Sequence, residues 1–398
     1  MVHQTISARS NRAPAASSKI TPMKRFSRLV ASVSILGMLA ACSVTRPPVA
    51  PAQTEPPHTE STAELPAGAR AIGHTRWTPV AWSELPGWGE DQLHEAWNAW
   101  IKSCERPGPT FKPLCAEVRQ LSIGTQEEQR SWMMARLQPY KVEPITGHAE
   151  GLLTSYYEPV LDATRLPTSG SAVPLYRVPQ GMYARRPWYT RHEMETLPEA
   201  RAALQGHEIA WLADPLDALV LQIQGSGRLR VTEPDGRQTI VRLAYAATND
   251  QPYKSVGRWL LDQGAIRDAT WPGIKAWVVR NPQRVQEMLW ANPRVVFFRE
   301  EPLPPADAAF GPRGAQGVAL TPGRSIAVDP TSIPYGTPVW LASAGPVANL
   351  QKLVLAQDTG SAITGSVRAD YFAGWGAEAA DFAGRLKQPL RLWVLWPK

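Results

Sequence analysis

The chain has 398 residues, enough for two or three domains with separate cores, and its 43% hydrophobic content with 16 tryptophans marks a folded protein. Its formal charge of +7 is concentrated, since Arg9, Arg12, Lys19, Lys24, Arg25 and Arg28 all precede residue 42 with no acid among them. Setting those six aside leaves the rest at +1, which excludes the broad basic surface of a nucleic-acid-binding protein.

In chain order, "MKRFSR" leads into "LVASVSILGMLAAC", the charged and short apolar regions of an export signal over 1–41. The apolar part is too short for a comfortable membrane span. The ending Leu39-Ala40-Ala41-Cys42 resembles a bacterial lipobox, which predicts lipidation of Cys42 and makes Met23 the natural start. Ser43, a non-acidic residue after that cysteine, points to the outer membrane. Residues 42–66 are rich in Pro, Thr and Glu, cannot bury a core, and are expected to be a tether.

Two helices are predicted next. "EDQLHEAWNAWIKSC" puts Leu93, Trp97, Trp100 and Ile101 on one face, and "TQEEQRSWMMARL" opens with a Thr cap followed by acids. Between them Cys104 and Cys115 flank a Pro-rich loop, and an exported protein is expected to pair them in a disulfide. From about residue 151 short β-rich runs take over: "GLLTSYYEPVLDA", "DALVLQIQG", "GRLRV" and "QTIVRLAYA", the last two joined by the turn "EPDGRQ". Many short strands with frequent turns suggest a barrel. A helical block spans "SVGRWLLDQGAI" to "MLWANP", and strands return with "VVFFRE", "TPVWLAS", "QKLVLAQD" and "RLWVLWP", interrupted by the helix "GAEAADFAGRLK".

Familiar chemistry is mostly missing. Gly225-Ser226-Gly227 lacks the spacing of a nucleophile elbow, His192 in "HEMET" does not begin a zinc motif, and no metal or cofactor is expected. Carboxylates among glycines and aromatics remain, and they suit glycosidic cleavage, where an acid must stay protonated near neutral pH. Asp370, followed by Tyr371, Phe372 and Trp375, fits that role; the alternative is that it caps a turn or the following helix. Trp375 suits stacking on a sugar, or the core. Gln222, Gln224 and Gly225 suit either a ligand-facing strand end or a plain hairpin with a glycine bulge, and Glu158 is a second carboxylate in aromatic company.

Seven stretches, among them "LLTSYYEPVLDATR", "LQIQGSGRLRV", "GVALTPGRSIAVDPTSIPYGTPVWL" and "DTGSAITGSVRADYFAGWG", resemble the membrane-bound lytic murein transglycosylase A family with its C-terminal three-aspartate domain, over roughly residues 75–398. The resemblance implies a mainly β protein with flanking helices. A double-psi β-barrel catalytic domain (67–155 with 297–398) would be interrupted by a smaller inserted β-barrel (156–296), with a glycan groove between them. It implies Asp370 as the single catalytic acid and base, with Asp358 and Asp329 lining or bracing the site. Substrate-binding or supporting roles follow for Thr154, Tyr156, Glu158, Gln224, Gly225, Ser226, Gly360 and Trp375. Ser155 and Ser361 stand where the family usually has glycine, which bears on groove shape.

The implied reaction cleaves the β-1,4 bond between N-acetylmuramic acid and N-acetylglucosamine and leaves 1,6-anhydromuramic acid ends. Implied partners are peptidoglycan strands, the inner leaflet of the outer membrane through lipidated Cys42, and cell-wall synthases or scaffold proteins, with no nucleic acid. Two rivals stay open: a hydrolase in which Glu158 or Asp358 activates water, and a non-catalytic glycan-binding lipoprotein.

Overall fold

Fifteen strands and two sheets organise the computed structural model, which describes residues 65–146 and 151–398. The export segment, Cys42 and nearly all of the tether lie outside the described residues. Among the described residues no helix is long and apolar enough to cross a membrane.

The chain enters with β1 (Arg70–Ile72), β2 (Thr75–Pro79), β3 (Leu137–Pro144) and β4 (Gly151–Glu158). It then builds β5 (Val160–Thr164), β6 (Val173–Tyr176), β7 (Glu208–Leu212), β8 (Gly227–Thr232), β9 (Gln238–Thr248) and β10 (Val296–Pro302). It returns with β11 (Ser325–Val328), β12 (Pro338–Ala344), β13 (Asn349–Asp358), β14 (Arg368–Trp375) and β15 (Lys387–Pro397). The first sheet runs β1-β2-β3-β15-β12-β13-β11-β14-β4, and β15 also pairs with β4, which closes part of the sheet into a ring. The second runs β10-β9-β8-β5-β7-β6. Pro159, which cannot donate to a ladder, is the single residue between β4 in one sheet and β5 in the other.

The apolar runs "PVWLA", "KLVLA" and "LWVLW" do not alternate with polar residues because both faces of their strands are covered. Val339, Leu341, Val354 and Val394 point into the ring with Trp77, Ile326 and Tyr371. Trp340, Leu353, Leu355, Trp393 and Leu395 point outward and pack on the helices Leu93–Ser103 and Cys115–Gln120. The first of those helices buries Leu93, Trp97 and Trp100, the face its periodicity marks. Thr125 caps the helix Gln126–Arg136 in a box with Glu128. A disulfide joins Cys104 to Cys115, Cα atoms 5.5 Å apart, and ties the end of one helix to the start of the next.

One predicted strand is a helix. "DALVLQIQG" forms Pro215–Gln224, because Asp214 accepts the Leu216 N–H (2.8 Å), Pro215 occupies the first turn and Gly225 closes the end at φ 81°. Its apolar residues face the second sheet and the helical block, so composition alone did not separate the two conformations.

Candidate active site

Asp370 sits within β14, hydrogen-bonded between β11 (opposite Ala327) and β4 (opposite Thr154). It therefore does not cap the following helix, whose N-cap is Trp375 with no side-chain capping bond. Side chains alternate along a strand, so Arg368 shares a face with Asp370, and Thr154 and Tyr156 on the parallel neighbour project beside them. The Thr154 hydroxyl donates to Asp370 Oδ1. Arg368 Nη2 in turn donates to Thr154 Oγ1 at 2.8 Å. Asp370 is half-buried, and burial pushes its pKa up, opposed by the Thr154 hydroxyl and then by the Arg368 charge.

Asp358 ends β13 with more support. Its carboxylate accepts from Tyr156 Oη and from the Ala315 N–H, both at 2.9 Å, and also from the Thr359 N–H. Burial pushes its pKa up against those three donors, and the charge of Asp370 acts in the same direction as burial, which places the two carboxylates in one electrostatic neighbourhood. Burial first, and then Asp358 and Asp370, lift the Tyr156 phenol well above its ordinary pKa, so it stays a proton donor. Its ring packs on Phe372 at 5.3 Å.

Asp329 is arranged differently. Burial raises its pKa, but the Thr331 hydroxyl (2.6 Å) and the N–H groups of Gly365 (2.8 Å) and Thr331 (2.9 Å) outweigh burial and hold it below the usual carboxylate range. It ties the turn after β11 to the loop before β14.

Glu158 has no exposed surface, and its two oxygens accept from Arg228 Nε and Arg242 Nε, both at 2.7 Å. It cannot touch a glycan or activate water, which corrects its place among the candidate bases. The Arg228 guanidinium also lies 3.7 Å over the Trp375 ring. Trp375 lines a cavity of about 510 Å3 with Pro322, Tyr371 and Phe382, to which neither Asp370 nor Asp358 contributes.

The glutamines lie at the end of a helix rather than of a strand, with their side-chain carbonyl oxygens engaged within the protein. Gln224 accepts the Tyr157 N–H (3.0 Å), fixing the helix end against β4, and Gln222 accepts from Arg191 (2.6 Å). Gly225 is the left-handed helix cap and Ser226 is buried beside it. Gly360 accepts the Ile363 N–H (2.9 Å) in the turn after β13. Ser155 donates to the Tyr371 carbonyl (2.6 Å), and Ser361 is exposed.

The structure adds Arg368, the Ala315 N–H and the Arg228–Arg242 pair, none of which stood out in the sequence. Arg368 was findable, two positions before Asp370 and so on the same strand face. The others reach the site from distant segments.

Two family profiles match the chain: the MltA specific insert domain over residues 152–299 and the 3D domain over residues 324–396. Among solved structures, the lytic transglycosylase LtgG of Burkholderia pseudomallei is 44% identical, with 84% of this chain and 98% of that chain covered and a TM-score of 0.57. MltA from Neisseria gonorrhoeae is 30% identical, covering 83% and 94%, with a TM-score of 0.69. The curated membrane-bound lytic murein transglycosylase A of Vibrio cholerae is 30% identical over 258 residues, a match spanning 61% of this chain and 65% of that relative.

Proposed function

This chain belongs to the membrane-bound lytic murein transglycosylase A family, and on that premise we propose that it cleaves the muramic acid to glucosamine β-1,4 bond of peptidoglycan with Asp370 as acid and then base. The observation that carries the assignment is the unequal support of two neighbouring half-buried carboxylates. Three donors stabilise the charge of Asp358, whereas one hydroxyl reaches Asp370. As such a pair titrates, the charge settles on the better-solvated member and the proton stays on the other.

Protonated Asp370 gives its proton to the glycosidic oxygen as the C1–O bond breaks through an oxocarbenium-like state. Anionic Asp358 favours the positive charge that develops. The Asp370 carboxylate then takes the proton of the C6 hydroxyl of the same muramic acid as that oxygen closes on C1. The attacking hydroxyl is intramolecular, with an effective molarity on the order of 10^5 M or more when well oriented, so water competes poorly. Digestion of purified sacculi followed by mass spectrometry of the products is expected to give anhydro ends without reducing muramic acid. Reducing ends as the main product would establish a hydrolase instead.

We assign residues 156–296, which supply most of the second sheet, to the inserted domain, and 67–155 with 297–398 to the catalytic domain. Lipidated Cys42 is assigned as the outer-membrane anchor facing the periplasm. Replacing Cys42 by alanine is expected to move the protein from the membrane to the soluble fraction, and continued sedimentation with membranes would remove that assignment.

A further inference from the structure

We propose that Arg368 is a positioning residue that acts through Thr154 to fix which oxygen of Asp370 carries the catalytic proton, a statement that rests on Asp370 being the acid. A guanidinium has donors only, so the contact from Arg368 Nη2 to Thr154 Oγ1 (2.8 Å) makes the hydroxyl the acceptor in that bond. The hydroxyl has one hydrogen, and it points at Asp370 Oδ1. Oδ1 is therefore an acceptor in both protonation states, and the acidic proton is confined to Oδ2.

Without Arg368 the hydroxyl is free to rotate, donate elsewhere and accept from Asp370 instead. Arg368 is itself held by the backbone, through bonds from Nη1 to the carbonyls of Ala369 (2.5 Å) and Leu152 (3.3 Å), which fix its plane across β14 and β4. Among the described residues it makes no ion pair with a carboxylate, and its Nη2 donor serves this relay. At bond cleavage the Oδ2 proton passes to the glycosidic oxygen, which keeps the electron pair of the broken bond. The emptied Oδ2 then receives the C6 hydroxyl proton, so one oxygen works in both half-reactions and the carboxyl group need not turn between them.

The titratable and charged groups around Asp370 are Arg368 on its own strand, Tyr156 on β4 and Asp358 on β13, while β11 presents Ala327 opposite it. Thr154 and Arg368 both oppose the upward push of burial on Asp370, so removing either raises its pKa and extends activity to higher pH.

The test is the pH dependence of the initial rate on a dilute, soluble peptidoglycan strand, whose basic limb reports the acid of the free enzyme. Thr154→Val is expected to move that limb up by roughly one pH unit and lower the plateau rate about tenfold. Thr154→Ser returns the limb to its original position. Arg368→Met shifts it in the same direction, and the double variant shifts it by less than the sum, because both changes break one chain. An unmoved limb in Thr154→Val, a serine variant that behaves like valine, or strictly additive shifts would overturn the relay. Asp370→Asn run in parallel separates the two levels. Activity in that variant removes the acid assignment itself, whereas an inactive Asp370→Asn with unmoved limbs removes only the relay.

Discussion

Asp370→Asn is expected to lower the release of anhydro-muropeptides by on the order of 10^3-fold or more, since in the proposed mechanism one side chain serves as acid in the first half-reaction and base in the second. Asparagine keeps the volume and can still accept from the Thr154 hydroxyl at its carbonyl, so the strand pairing of β14 with β11 and β4 should survive. The same variant carries a stability signature. Burial holds the folded-state pKa of Asp370 above its unfolded value, so the contribution of this group to stability is full below about pH 3.9 and is lost as pH rises through the folded pKa. Asparagine does not titrate. Asp370→Asn should therefore melt higher than the parent at pH 7, with the gap closing toward pH 4. Thermal melts across that range and muropeptide assays on the same preparation check both halves. A variant that keeps a tenth of the activity, or melts lower at pH 7, would count against a half-buried, protonated Asp370.

Local pattern made some of this architecture legible and long-range pairing hid the rest. The helix Leu93–Ser103 declared itself through a 3.6-residue repeat of large apolar side chains, and the β8–β9 hairpin through "EPDG" between two branched runs. Strand β14 did not, because Asp370, Gly374 and Gly376 are residues that normally signal turns. Here glycines serve the bend at the end of the strand, where Gly374 and Gly376 adopt φ 110° and 79° and the register with β4 slips between Phe372 and Trp375. The roles of the carboxylates were beyond local pattern. Asp358 and Asp370 lie 12 positions apart and read alike, and what separates them is the donors that fold onto each, Tyr156 from 202 residues away and Ala315 from 43. Family resemblance supplied the assignment of Asp370 before any geometry did.

Glu158→Gln is expected to destabilise the protein by about 3–5 kcal/mol, the range for breaking a buried ion pair from one side. Glu158 closes β4 in the first sheet, while Arg228 and Arg242 stand opposite each other on β8 and β9 of the second, so one carboxylate joins the two sheets at the point where the chain crosses between them. Two guanidiniums against one carboxylate leave an excess positive charge. It is spread over the Phe310 carbonyl, which accepts from both arginines (3.0 and 2.6 Å), the Ala308 carbonyl (2.9 Å) and the Trp375 ring. Neutralising Glu158 removes the only carboxylate bonded to either arginine among the described residues and leaves two buried cations side by side. A small domain has only about 5–15 kcal/mol in hand, so the loss should be plain in denaturant unfolding, and it should change little with added salt because a buried pair is poorly screened. Replacing Glu158, Arg228 and Arg242 together by apolar residues of matching size should recover much of it, since desolvation of the three charges is then no longer required. A loss under 1 kcal/mol in Glu158→Gln would mean that the sheets are held by apolar packing alone. The expected loss would instead make this triad the joint between the two sheets, with the Trp375 ring stacked on its Arg228.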